Sequence, residues 1–199
     1  QLNINISAVL ISVIAPFAGV QNPLTILQIL WINMIMDTLA AIALGGEPAL
    51  AEYMKERPKS RTEKIVSKGM GRAIIWTGVW TTIISLLFLK LDIFKNLFQD
   101  DIHHLTAYFC LFVFSGLFNG FNVRSEKLNV FGKLNLNPNF LKVFALIFVI
   151  QIILVYIGGE VFRTVPLTVS EWLVIFGLSA LIIPVDMIRK LIFPNIENK

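Results

Sequence analysis

"ILWINMIMDTLA", residues 29–40, sets a carboxylate inside a run that otherwise reads as lipid-soluble. Asp37 is the first charged residue of the chain; Gln1 to Met36 carry no charge. A charged side chain at the centre of a membrane span costs about 2.5–3.5 kcal/mol on insertion scales. Such a residue persists where it meets protein, water or a cation. Asn33 stands four residues before Asp37, and on an α-helix the two share a face. Ala40 and Ala41 continue that face with small side chains. An amide oxygen one turn from a carboxylate is half of a hard-cation site. Calcium takes 6–8 oxygens, so other segments must contribute.

Two segments offer oxygens. The first carries Asn5, with Asn3, Ser7 and Ser12 nearby, and Asn5, Ala8 and Ser12 fall on one stripe. A later one carries Ser115, Asn119 and Asn122 at helical spacing. For Asn119 and Asn122 the plainer reading is interhelical hydrogen bonding, worth about 0.6–2 kcal/mol. The Asn33–Asp37 pair by itself leaves calcium, sodium, protons and manganese open.

The 199 residues are 56% hydrophobic and 15% charged, and the mean hydropathy is +0.74. Soluble domains are about a quarter charged. Here the apolar residues come in long blocks, the pattern of membrane helices. Six segments have about the length and apolarity of a span: roughly 1–19, 25–45, 72–90, 105–123, 140–157 and 171–190. The expectation is an all-α, polytopic membrane bundle of six transmembrane helices. Residues 19–23 are too few for more than a tight turn, so the first two segments form a hairpin. Pro16 kinks or ends the first helix. The chain opens inside an apolar segment, without a basic leader or cleavage site, and reads as a piece of something longer.

The basic residues sort by loop. Of 17 Lys and Arg, all but Lys90, Lys95 and Arg163 lie in 46–72, 124–142 and 186–199. Basic loops stay in the cytoplasm, so loops 46–71 and 124–139 and the C-terminus are expected to be cytosolic, and the 19–24 tip outside. Topology accounts for the basic isoelectric point; nothing points to nucleic acid. The single cysteine, Cys110, excludes an internal disulfide.

"LQILWINMIMDTLAAIALGGEP" resembles the sixth membrane helix of calcium-transporting P-type ATPases, most closely the plasma-membrane type. Trp31, Asn33, Met36, Asp37, Thr38, Leu39, Ala40 and Glu47-Pro48 carry the likeness. "QLNINISAVL" is similar to the second half of the fifth helix. "LFNGFNVRSEKLNVF" resembles the end of the eighth, and "GGEVFRTVPLTVSEW" the connection into the tenth. The resemblance runs in order along essentially the whole chain. It implies helices five to ten of a ten-helix pump, the C-terminal half of its membrane domain, and a lipid bilayer around them.

The resemblance further implies that Asn33 and Asp37 coordinate transported Ca2+, with Asn5 as a further ligand. In two-site reticulum pumps the fifth helix also supplies a Glu; that position is Ala8 here, and a Thr ligand before the Asp is replaced by Met36. Both departures point to a single site. Golgi-type manganese and calcium pumps usually read Gly-Pro-Pro after the Asp, against Thr-Leu-Ala here. The family's "DKTGT" phosphorylation motif, its Mg2+- and ATP-binding domains and helices one to four would lie in the missing N-terminal part of the same protein. No catalytic residue is therefore expected in this chain, which should be inactive alone. The alternatives are a pump for Mn2+, Na+ or H+, and a self-contained secondary transporter. The latter often shows internal repeats, and none is evident between 1–90 and 105–190.

Other polar residues read as structural. Gly116 and Gly120 signal close packing, as do Gly78, Thr82 and Ser85. Gln151 should bond a neighbour. His103 and His104, being adjacent, should point different ways. Asp186 should pair locally with Arg189 and Lys190. In the 46–72 loop Glu52, Glu56 and Glu63 lie among seven bases, either simply solvated or a strut against the phosphorylation domain.

Overall fold

In the computed structural model, residues 2–47, 66–125, 127–132 and 134–193 are described. Most of the 46–71 loop, with Pro48 and the three glutamates, lies outside them, as does the tail from residue 194. Among the described residues every regular element is helical. Five helices are long and apolar enough to cross a membrane: Ile26–Gly45, Lys68–Lys90, Asp101–Arg124, Pro138–Ile157 and Val169–Ile192. Leu2–Phe17 is a shorter apolar helix. The protein is an all-α membrane bundle.

Helix α1, Leu2–Phe17, ends just after Pro16. Gly19, at φ +82°, takes the left-handed turn, and the Val20 and Gly19 N–H groups close back on Ala15 and Pro16. That is a Schellman ending, which needs a residue free to adopt positive φ. The next span starts with a capping box: Thr25 Oγ1 accepts the Gln28 N–H, and Gln28 Oε1 accepts the Thr25 N–H. It is not one uniform helix. α2, Ile26–Trp31, passes into a π-helical segment, Ile32–Met36, and then α3, Asp37–Gly45.

Four long elements complete the bundle. α4 is Lys68–Lys90, followed by the short α5, Asp92–Lys95. α6 is Asp101–Arg124, and α7 is Pro138–Ile157. A single turn, α8, Gly159–Phe162, leads to α9, Val169–Ala180, and α10, Ile182–Ile192. α9 and α10 are one span interrupted at Leu181. Pro184 has no N–H for the Ala180 carbonyl, so the helix breaks there. The break is spanned from α6: Asn122 Nδ2 donates to the Ile182 carbonyl at 3.0 Å.

α6 is the axis of the fold. Tyr108, Phe109, Phe112 and Phe114 on it are fully or almost fully buried. It packs against α4, α7, α9 and α10, while α1 lies on α4 and α3 on α7. Aromatic rings from α6, α7 and α9 interlock, with Phe114 meeting Phe148 and Phe176 at 5.0 and 5.1 Å. At the hairpin end two cations hold backbone carbonyls. Lys90 Nζ donates to Ala18 O at 2.7 Å, and Arg163 Nη2 to Asn22 O and Pro23 O.

Several structural readings find their partners. Gln151 accepts the Trp31 indole N–H at 3.0 Å. Ser7 Oγ donates to the Gly78 carbonyl, which Thr82 Oγ1 also reaches. His103 is on the surface side with Asp100, whereas His104 is buried, stacked on Phe88. Asp186 pairs with both Arg189 and Lys190. Lys190 Nζ also donates to the Asn122 and Ser125 carbonyls at the end of α6. There it meets the unpaired carbonyls that end every helix.

Candidate cation site

Asp37 is the first residue of α3, and its backbone N–H reaches back five residues to the Ile32 carbonyl. An α-helix would have used Asn33. A π turn holds more residues than the 3.6 of an α turn, so it rotates the residues on either side of it relative to each other. Asn33 and Asp37 remain about one turn apart, yet their surroundings differ. Asp37 is only 6% exposed, whereas Asn33 is exposed on the side that this chain leaves open. Among the described residues, Asp37 Oδ2 has no hydrogen-bond partner.

Asp37 borders a cavity of about 80 Å³ between α1, α3, α6 and α7. Its polar lining comes from three helices: Asn3, Asp37 and Asn119. Ala40, Ala43, Gly116 and Gly120 keep side chains short around it, and Phe140, Phe144 and Ile147 close the α7 side. Gly116 makes the tight contact. A Cβ there would come within 2.6 Å of Ile4 Cδ1 and 3.3 Å of Met36 Cε. Gly120 has room, its nearest neighbour being the Phe140 ring at 3.7 Å.

Asn5 is half-buried and does not line the cavity. The buried stripe of α1 is Asn3, Ile4, Ser7, Ile11 and Ala15, not the stripe of Asn5, Ala8 and Ser12. Asn3 is 6% exposed, and its Oδ1 lacks a partner among the described residues. A sequence signal for Asn3 existed: Asn3, Ser7 and Ile11 recur every four residues, as one packed face does. Of the interhelical bonds expected for Asn119 and Asn122, Asn122 makes one, to the Ile182 carbonyl, while its bond to Asn119 stays within α6. Asn122 Nδ2 donates to Asn119 Oδ1 at 3.2 Å. Asn119, however, also faces the cavity.

A buried carboxylate and amides on three helices form a hard-oxygen donor set of low charge. Oxygens of this kind suit calcium, magnesium or manganese better than soft metals. Among the described residues no group of three or more His, Cys, Asp or Glu could hold a metal, so any ion here relies on amide, backbone or water oxygens beside the one carboxylate.

Comparison with known proteins is consistent across kingdoms. Residues 21–192 match the family model "Cation transporting ATPase, C-terminus". Over 195 residues the chain is 33% identical to plasma membrane calcium-transporting ATPase mca-1 of Caenorhabditis elegans, covering 92% of this chain and 16% of that protein. It is 35% identical over 202 residues to calcium-transporting ATPase 5, plasma membrane-type, of Oryza sativa subsp. japonica, covering 96% and 18%. It is 34% identical over 195 residues to plasma membrane calcium-transporting ATPase 2 of Oreochromis mossambicus, covering 92% and 18%. The chain thus spans less than a fifth of the length of these relatives. Matched over most of its length, this bundle belongs to the cation-transporting ATPases, as their C-terminal membrane region.

Proposed function

We propose that this chain is the ion-binding and translocating membrane part of an ATP-driven calcium efflux pump. Asp37 contributes the charged ligand of a single Ca2+ site. One observation carries the reading: a buried carboxylate oxygen without a partner among the described residues, at a cavity between membrane helices. Leaving such a group unpaired is costly, and a hard cation satisfies it. The relatives' names supply the choice of calcium over manganese, sodium or protons, since each is called a calcium-transporting ATPase.

In this reading the chain's residues bind and release the ion, and nucleotide chemistry belongs to segments outside it. Asn33 is the second ligand. Asn33 is exposed and Asp37 buried, so this stretch must turn against its neighbours for both to reach one ion, and π segments recur at functional sites. Asn5 would join by rotation of α1. The orientation follows the charge bias: loops 46–71 and 124–139 and the C-terminus cytosolic.

The test is Asp37→Asn in the full-length pump. Calcium-dependent phosphorylation by ATP should be abolished, and phosphorylation by inorganic phosphate without calcium retained. Wild-type calcium sensitivity in the variant removes Asp37 as a ligand.

A further inference from the structure

We propose that Asn119 on α6 is a further residue of the cation site, lending its amide oxygen to the ion that Asp37 holds. The inference rests on the calcium-site reading above and extends it to a third helix.

Three observations support it. Asn119 is 6% exposed and lines the same cavity as Asp37. Two other side-chain oxygens of that lining, Asp37 Oδ2 and Asn3 Oδ1, are buried without partners among the described residues. Asn3 Oδ1 lies at the contact of α1 with Gly78 of α4, whereas Asn119 stands on α6 beside the cavity, its Oδ1 oriented by Asn122. A space of about 80 Å³ exceeds what one water needs, enough for a cation with part of its hydration.

The third observation concerns aim. Asn122 uses both hydrogens of its Nδ2, one on Asn119 Oδ1 and one on the Ile182 carbonyl at the α9–α10 break. Its backbone carbonyl is held in turn by Lys190. Asn119 is thereby fixed by its neighbour one turn away and by the tenth span. An amide oxygen has two lone pairs, so accepting from Asn122 leaves one for an ion. Ligands held this way lose little freedom on binding, and removing an outer partner typically costs about 10–100-fold in metal affinity. Asn122 is a positioning residue in this scheme.

The experiment uses the full-length pump in sealed vesicles, with calcium and manganese as probe ions. Asn119→Ala should raise the calcium concentration for half-maximal phosphorylation by about ten-fold or more. Phosphorylation by inorganic phosphate without calcium should be unchanged. Asn122→Ala should shift calcium in the same direction. Asn119→Asp keeps the acceptor for Asn122 and adds charge; it should lower the half-activating calcium concentration at pH 8 and change the calcium-to-manganese preference.

Unaltered calcium dependence in Asn119→Ala, with Asp37→Asn inactive, overturns this inference and leaves the calcium-site reading standing. Wild-type behaviour in Asp37→Asn overturns that reading itself. Should Asn119→Ala fail to fold, the Asp variant decides: unchanged affinity and unchanged ion preference there also overturn the inference.

Discussion

Asn137 joins two helices through Ala43. Its Nδ2 donates to the Ala43 carbonyl at 3.1 Å, while its Oδ1 accepts the Phe140 N–H at 3.0 Å. The same Nδ2 reaches Glu47 Oε1 at 2.9 Å. One amide thus caps the start of α7 and fastens the end of α3, the helix that begins with Asp37. Asn137 is 1% exposed, so its loss strands buried groups on both helices.

Asn137→Ala should therefore destabilise the protein by about 1–3 kcal/mol. Asn137→Asp keeps the cap acceptor but cannot donate to Ala43, and it brings a second carboxylate toward Glu47. It should recover only part of the loss. Thermal unfolding of the full-length protein in detergent measures both.

Gly116 and Gly120 should respond unequally to a methyl group. At Gly116 the Cβ meets Ile4 Cδ1 at 2.6 Å; at Gly120 it meets the Phe140 ring at 3.7 Å. Gly116→Ala should cost about 1–3 kcal/mol, as overpacking does, and Gly120→Ala much less. Ile4→Val removes the clashing Cδ1 and should restore part of the Gly116→Ala loss. Equal penalties at both glycines would contradict this packing.

Trp31 and Gln151 give a third case. Trp31 Nε1 donates to Gln151 Oε1 at 3.0 Å, tying α2 to α7 just before the π segment. Trp31→Phe leaves that oxygen without its donor and should cost about 0.6–2 kcal/mol beyond the lost ring area. Adding Gln151→Leu removes the stranded group and should be less than additive in a double-mutant cycle.

Asp100 gives a pH prediction outside the spans. Its carboxylate accepts the His103 backbone N–H at 2.8 Å and the His103 ring Nδ1 at 2.8 Å. Those hydrogen bonds hold its carboxyl below the ordinary 3.8. A depressed folded value means the cap's contribution is complete above the unfolded value and fades as pH falls through the folded one. Hydrogen-exchange protection at the start of α6 should thus persist at pH 4 and weaken further below. Asp100→Ser should keep a cap whose strength does not change across that window.

Much of the bundle was legible before folding because span-length apolar runs have one stable solution in lipid. Backbone groups must bond internally, and a helix does this within its own segment. The boundaries still moved. α4 begins at Lys68 and α6 at Asp101, because Ser67 and Asp100 cap their starts and extend each helix past the apolar run. The site was less legible. Asn33 and Asp37 stand one turn apart, but that Asp37 is buried and Asn33 exposed depends on how the helix is rotated among its neighbours, and the sequence between them does not announce a π turn. Asn3 and Asn119 sit on the inward faces of α1 and α6, which depend on where neighbouring helices pack.

The order of residues alone pointed to a membrane chain, to the runs apolar enough to cross a bilayer, and to a carboxylate at position 37 that needs an answer. Those follow from transfer energies, which depend on composition and length and hardly on partners. The tertiary structure decided which side of each helix looks inward. It set Asp37 and Asn119 on one cavity and left Asn33 on an exposed face, because a helix's rotation about its axis is set by contacts with its neighbours.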